Sequence, residues 1–337
     1  MPKRAVVTGS AGFIGFSLSR RLLNEGYQVI GIDNVNDYYD VKLKRDRLKI
    51  LKKYPGFNFY KKDISNKKAL NRIFKKEDVN SSDRIVNLAA QAGVRHAQKD
   101  PGSYVKTNIT GFFNMIELAR KVESKHFVYA SSSSVYGGNK KMPFSVHHNV
   151  DHPISLYAAS KKSNELIAHV YSFTYELPTT GLCFFSVYGP WGRPDMALFL
   201  FTKAILAGEP IQVFNEGNMS RDFTYIDDIV EGVYRIMEKI PEPDSNWDGF
   251  NPDPSRSWVP FRLYNIGNHH TIKLLDYVKL IEKTLGKKAI VELLPMQQGD
   301  IQDAFADIED IAQDVGFEPK TKIYDGVPKF VEWYEDY

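Results

Sequence analysis

A single cysteine, Cys183, stands in 337 residues, and that scarcity excludes internal disulfides and thiolate-clustered metal centres. No stretch approaches the ~20 consecutive apolar residues that cross a bilayer. The chain runs directly into strand-like sequence, so no signal peptide is expected. Nor does one charge dominate: 44 Lys and Arg face 41 Asp and Glu, a formal net charge of +3. That is too little to call for nucleic acid or a membrane surface as a partner. Internal repeats and low-complexity tails are missing too. The hydrophobic and charged fractions, 43% and 25%, are ordinary for a globular chain. A cytoplasmic protein without a metal is expected, folded as one large or two closely packed domains.

What is present gathers at the start. Arg4-Ala5-Val6-Val7-Thr8 is a short apolar run that ends in a Gly-rich turn, and helical apolar spacing (Phe13, Ile14, Leu18, Leu22) begins at once. That is strand, turn and helix, the first unit of a doubly wound parallel α/β sheet. Gly9, Gly12 and Gly15 let the backbone turn tightly and approach a pyrophosphate, while the helix N-terminus offers it free N–H groups and a positive dipole end. A glycine trio alone could mark only a strand-to-helix turn. Here Tyr27 to Ile32 follows at strand length and ends in Asp33, 18 residues past Gly15. A carboxylate at ~20 residues is the usual partner of an adenosine ribose. It repels a 2′-phosphate, so NAD is favoured over NADP; Lys42 and Lys44 argue mildly the other way.

Asp40 to Tyr54 carries many basic residues with Leu43, Ile50 and Leu51 at helical spacing. A solvated helix face is the favoured reading over a basic binding surface. Phe57 to Tyr60 reads as a third strand, and Asp63-Ile64 beyond it either reaches an adenine or caps a helix. Asp83 to Leu88 is a fourth strand, followed by Ala89-Ala90-Gln91-Ala92-Gly93, small residues that suit ligand approach and close packing equally. A long helix is expected over Ser103 to Val122, a fifth strand over His126 to Ala130, then Ser131 to Ser134 and Val135-Tyr136-Gly137. Ser155 opens another helix reaching about Tyr175. On it Tyr157 and Lys161 stand i and i+4, on one face. Beside an NAD site, a lysine ammonium and a cationic nicotinamide would both favour the phenolate, making Tyr157 a general base.

These residues carry a resemblance. The Gly9/Gly12/Gly15 turn, the serine run before Val135-Tyr136-Gly137 and Tyr157-x-x-x-Lys161 resemble the extended short-chain dehydrogenase/reductase family, in its nucleotide-sugar epimerase branch. Phe185 to Ala197 and Phe214 to Asp228 are similar to UDP-glucuronate 4-epimerases in particular. The resemblance implies NAD-dependent inversion at carbon 4 of a UDP-sugar, UDP-glucuronate to UDP-galacturonate, through transient oxidation to a 4-keto sugar. It implies Tyr157, Lys161 and Ser132 as catalytic. It implies Gly9, Gly12, Phe13, Ile14, Gly15, Asp33, Asn34, Asp63, Ile64, Leu88, Ala89 and Ala90, with Tyr157 and Lys161, around NAD. Substrate contacts fall to Ser132, Ser133, Arg95, Ser186, Arg193, Val213, Phe214, Arg221 and Asp300, with Arg221 on the diphosphate and Arg193 with Ser186 on the uronate carboxylate. Gln297-Gln298-Gly299-Asp300 is similar to a late nucleotide-contacting segment, and a homodimer through helices 103–122 and 156–175 is implied. The family commonly has arginine where this chain has Cys183.

In the second half, turns rich in Gly and Pro (Gly189, Pro190, Gly192, Pro194) replace the strand–helix rhythm and mark binding loops. Arg193 and Arg221 lie in or beside them; arginine suits planar recognition of carboxylate or phosphate, and surface ion pairs are the plainer alternative. Ile211 to Phe214 reads as an edge strand near a uracil, with Phe214 equally suited to the core. Pro241 to Pro260 reads as a surface loop, Leu263 to Gly267 returns to the sheet, and helices follow from Leu274 and near Ile308. Residues 1–180 are thus expected as an NAD-binding Rossmann-like domain, to which segments near 222–240 and 261–267 return. Residues 181–337 are expected mainly as a smaller α+β domain for the UDP-sugar. UDP-glucose 4-epimerase is the nearest alternative. Decarboxylases and 4,6-dehydratases typically carry an acid where this chain has Ser133 and Ser134. An NAD-binding regulator, the non-enzyme alternative, has no use for the Tyr157/Lys161 pair.

Overall fold

The computed structural model describes residues 3–297 and 299–337; Gln298 lies outside the described residues. The N-terminal rhythm is as the sequence implies: β1 (Arg4–Thr8), α1 (Phe13–Asn24), β2 (Gln28–Asp33), α2 (Val41–Leu51), β3 (Phe57–Lys61), α3 (Lys67–Lys76) and β4 (Arg84–Asn87). Short helices α4 (His96–Lys99) and α5 (Pro101–Tyr104) lead into a π-helical stretch, Val105–Gly111, and α6 (Phe112–Lys121). The single helix expected over Ser103 to Val122 is therefore broken in pitch. Gly111, the last residue of that stretch, sits where a Cβ would meet the Ile64 side chain. β5 (His126–Ala130) and α7 (Leu156–Tyr175) follow, with Ser155 capping α7 by accepting from the Ala158 N–H at 3.1 Å.

The second half supplies β6 (Thr179–Phe184), β7 (Ser186–Tyr188), α8 (Ala197–Ala207), β8 (Pro210–Phe214), β9 (Ser220–Tyr225), α9 (Ile226–Glu238) and β10 (Phe261–Ile266). It ends with β11 (Thr271–Lys273), α10 (Leu274–Leu285), β12 (Ile290–Leu294), α11 (Glu309–Val315) and α12 (Ile323–Asp336). Seven strands form one parallel sheet in the order β10-β6-β5-β4-β1-β2-β3. β6 spans both sides of position 180 and sits inside this sheet. Its neighbours are buried on both faces, as parallel strands between helical layers must be. The chain winds outward from β1 in both directions, so the topological switch lies between β1 and β4, where a crevice opens at the strands' carboxyl ends. Beyond it, β11, β9 and β7 form a small sheet, and β8 pairs in parallel with β12.

α2 keeps the expected solvated face at Lys42, Arg45 and Lys49, but two of its basic residues turn inward. Lys44 and Arg47 are buried, at 5% and 0% exposure. Each has found oxygen partners that make burial of a cation tolerable: Lys44 Nζ donates to the Asn36 carbonyl at 2.7 Å, and Arg47 Nη1 to that of Ala11 at 2.9 Å.

Candidate active site

The crevice continues into one cleft of about 790 Å³ that reaches from the Gly-rich turn to the second-half loops. At its floor Gly9 takes φ +72°, and a Cβ on Gly15 would collide with the Gly9 carbonyl oxygen. Only glycine permits this closure. α1 then starts at Phe13 with no side-chain cap and no acid in its first turn. Its N–H groups are left for an anion. Asp33, 9% exposed, accepts from the Ala11 N–H at 3.0 Å and the Val35 N–H at 2.7 Å. Burial raises its carboxyl, opposed by these hydrogen bonds and by Lys44 and Arg47. Asp63 holds the Ser65 N–H at 2.8 Å and faces Asn34 Nδ2 at 3.3 Å. The helix cap beyond it is Asn66 instead. Leu88 and Ala89 close the far wall, where a Cβ on Gly9 would lie 2.9 Å from the Ala89 nitrogen. Close packing and ligand approach thus ask for the same small residues. The glycine closure, the uncapped helix end and the buried Asp33 fit a dinucleotide.

Across the cleft, α7 presents Tyr157 half-buried and Lys161 at 4% exposure. Lys161 Nζ lies 5.9 Å from the Tyr157 ring centroid and donates to the Ala130 carbonyl at 2.8 Å. Burial lowers Lys161 to about 8, against the charge of Glu165. The Tyr157 phenol stands beside this ammonium. Burial raises that phenol, and the groups that pull it down are the Ser132 hydroxyl and the Arg193 charge. Ser132 closes a tight turn by accepting from the Ser134 N–H at 3.2 Å. Behind it, Glu165, 2% exposed, accepts from Ser131 Oγ at 2.5 Å and stands 3.7 Å from Cys183 Sγ. Cys183 is 2% exposed and its thiol is pushed well up by burial, which makes it an inert packing residue.

Arg193 is not a free cation. Nε and Nη2 hold Asp195 at 3.0 and 2.5 Å, and Asp195 also accepts from the Tyr38 hydroxyl at 3.1 Å. Among the described residues Nη1 has no partner. Arg221 is fixed by the Ser220 and Gln302 carbonyls at 2.9 and 2.8 Å and by Asp300 at 2.9 Å. Arg95 lies 4.8 Å over the Phe214 ring and 3.6 Å from Asp300. The cleft lining takes in every residue that the sequence assigned singly to cofactor or substrate except Val213, and of the late segment it takes in Gly299 and Asp300 but not Gln297. Val213 has 0% exposure and packs in the core, because β8 alternates its faces and only Gln212 and Phe214 turn to the cleft. Sequence reasoning missed Tyr38, Asp195 and Arg47. The Tyr38-Tyr39 pair just after β2 was the available signal; Arg47 had none, being one basic residue among several.

Three comparisons bear on this cleft. Residues 5–248 match the NAD dependent epimerase/dehydratase family model. The chain is 51% identical to the Protein CapI of Staphylococcus aureus over 334 residues, 99% of each chain. It is 44% identical to a probable UDP-glucuronate 4-epimerase of Rhizobium meliloti, over 98% of this chain and 97% of that one. Among solved structures, the UDP-glucuronic acid 4-epimerase of Bacillus cereus, in complex with UDP-glucuronic acid and NAD, superposes with a TM-score of 0.84 at 30% identity, covering 99% of both chains.

Proposed function

We propose that this chain, which belongs to the NAD dependent epimerase/dehydratase family, inverts carbon 4 of a UDP-sugar and interconverts UDP-glucuronate and UDP-galacturonate. One observation carries the reading: Tyr157, Lys161 and Ser132 share a single cleft with the Gly9–Gly15 turn and with Arg193. When bound, NAD supplies the oxidation and re-reduction at carbon 4, taking a hydride from one face of the sugar and returning it to the other. Tyr157 takes the proton of the 4-hydroxyl and gives it back. Because burial holds the phenol protonated in the free protein, positive charge arriving in the cleft is what readies it as a base. Ser132 donates to the same sugar oxygen and steadies its developing charge. Lys161 holds ribose hydroxyls of the cofactor, with Ala130 fixing its direction.

Arg221, pinned on three sides, offers its guanidinium to the diphosphate. The open Nη1 of Arg193 takes the uronate carboxylate, with Ser186 beside it, while Nε and Nη2 keep Asp195. Arg95 and Phe214 border the uracil. Ser133 and Ser134 leave no acid next to Ser132 for eliminating water, which supports epimerisation over dehydration. The test is to incubate purified protein with UDP-glucuronate without added NAD and identify products by NMR. UDP-galacturonate should form without net NADH; stronger turnover of UDP-glucose would move the assignment to the neutral sugar.

The chain is further proposed to work as a homodimer. Val105 (52%) and Phe113 (42%) on one side, and Leu166 (59%), Val170 (55%) and Phe173 (58%) on α7, are exposed apolar residues. On α7 they stand at i, i+4 and i+7, one largely exposed stripe of the helix. A second copy meeting it about a two-fold axis buries the same patch on both sides.

A further inference from the structure

β2 leaves the sheet at Asp33, and its connection to α2 takes a detour: Val35 turns at φ +51°, and Tyr38 and Tyr39 then line the cleft. Tyr38 stands where three loops meet. Its ring lies 4.9 Å from that of His96, and its hydroxyl fills the space left by the missing Cβ of Gly93, itself at φ +96°. That hydroxyl donates to Asp195 at 3.1 Å, and Asp195 is oriented by the Arg193 fork. Opposite, the fully buried Arg47 ties the Ala11 carbonyl at 2.9 Å, the Tyr39 hydroxyl at 2.8 Å and the Trp191 carbonyl at 2.5 Å. The cofactor-side loop and the sugar-side loop are therefore joined twice. Arg47 makes a buried joint, and Tyr38 with Asp195 makes a second one between half-buried side chains.

We propose that the Tyr38–Asp195 contact is a latch that keeps NAD in its groove through the catalytic cycle. The inference rests on the reading of the cleft as an NAD site and goes beyond it, since nothing in that chemistry requires Tyr38. A dinucleotide lying from the Gly-rich turn to Tyr157 runs between the loop after Asp33 and the loop of Arg193. The latch closes the gap between those loops. Leaving the groove breaks it; catalysis does not. A uronate drawn to Nη1 of Arg193 leaves the Nε/Nη2 fork on Asp195 intact, so the latch stays shut with substrate in place. A hydrogen bond to a charged acceptor of this kind changes a release rate by ~10- to 100-fold.

The experiment loads the full-length protein with isotopically labelled NAD, chases with excess unlabelled NAD and follows loss of label, for wild type, Tyr38→Phe and Asp195→Asn. Tyr38→Phe keeps the ring against His96 and removes the hydroxyl, which is both the donor to Asp195 and the atom seated against Gly93. Release should be slow in wild type and ~10- to 100-fold faster in Tyr38→Phe, while the affinity for UDP, read by calorimetry, stays within about twofold. A latch with no role beyond folding would move both. Fast release from wild type, or wild-type release from a folded Tyr38→Phe, overturns the proposal. Should Tyr38→Phe fail to fold, Asp195→Asn decides by the same criterion. Label exchange needs no sugar, so failure of the epimerase assignment would show separately as absent turnover with the latch effect intact.

Discussion

At Tyr157 the phenol is held up by burial and drawn down by Ser132 and Arg193, so its removal should be the most damaging single change in the cleft. Tyr157→Phe is expected to keep fold and bound NAD and to lose ~100-fold or more in kcat, the scale of a missing general base. Activity within a few-fold of wild type would remove Tyr157 from the mechanism. Arg193→Ala should cost UDP-glucuronate ~10- to 100-fold more in kcat/KM than UDP-glucose, as one charge-assisted hydrogen bond does, on top of a loss shared by both sugars because Arg193 also draws down Tyr157. Equal losses on both sugars would assign Arg193 to holding Asp195 and the fold. Away from the cleft, His126 has 0% exposure, with Nδ1 3.3 Å from the Met237 carbonyl and Nε2 2.8 Å from Thr180 Oγ1. Burial lowers it to about 4. The unfolded chain takes a proton below ~6.5 and the folded chain does not until about 4. Its contribution is therefore complete above ~6.5 and lost as pH falls toward 4, up to about 3 kcal/mol. Urea unfolding at pH 7 and pH 4.5 should show that loss, reduced in His126→Gln.

At the scale of elements, α7 carries two jobs on opposite faces. Its buried face sets Tyr157 and Lys161, and its exposed stripe of Leu166, Val170 and Phe173 is the proposed dimer face. Leu166→Asp with Phe173→Asp should give monomers by sedimentation while NAD stays bound; an unchanged dimer would place the contact elsewhere. The elements legible in the sequence were those whose pattern is local. The β1–turn–α1 unit, β2 ending at Asp33, and Tyr157 with Lys161 four residues apart can all be read from spacing alone. The π-helical stretch before α6 could not, because nothing in the apolar spacing of Ser103 to Val122 marks a change of pitch. Nor could the inward turn of Lys44 and Arg47, whose partners are backbone carbonyls that exist only once the loops have met. α12 and β12 were missed: Pro328 inside the helix hid the first and an exposed edge strand the second. Tyr38 and Asp195 escaped for the same reason as Arg47, being paired across 157 positions.

Over the whole molecule, the parallel sheet supplies the cofactor half of the cleft and the loops after β6 supply the sugar half. The buried Arg47 and the Tyr38–Asp195 contact join the two rims. That construction suits an enzyme that borrows electrons and returns them without releasing its cofactor. The most direct test uses UDP-glucuronate carrying deuterium at carbon 4, incubated with the protein in ordinary water without added NAD. If oxidation and re-reduction share one retained cofactor, the UDP-galacturonate formed keeps its deuterium at carbon 4. Loss of the label to solvent, or its appearance in free NADH, would contradict the account.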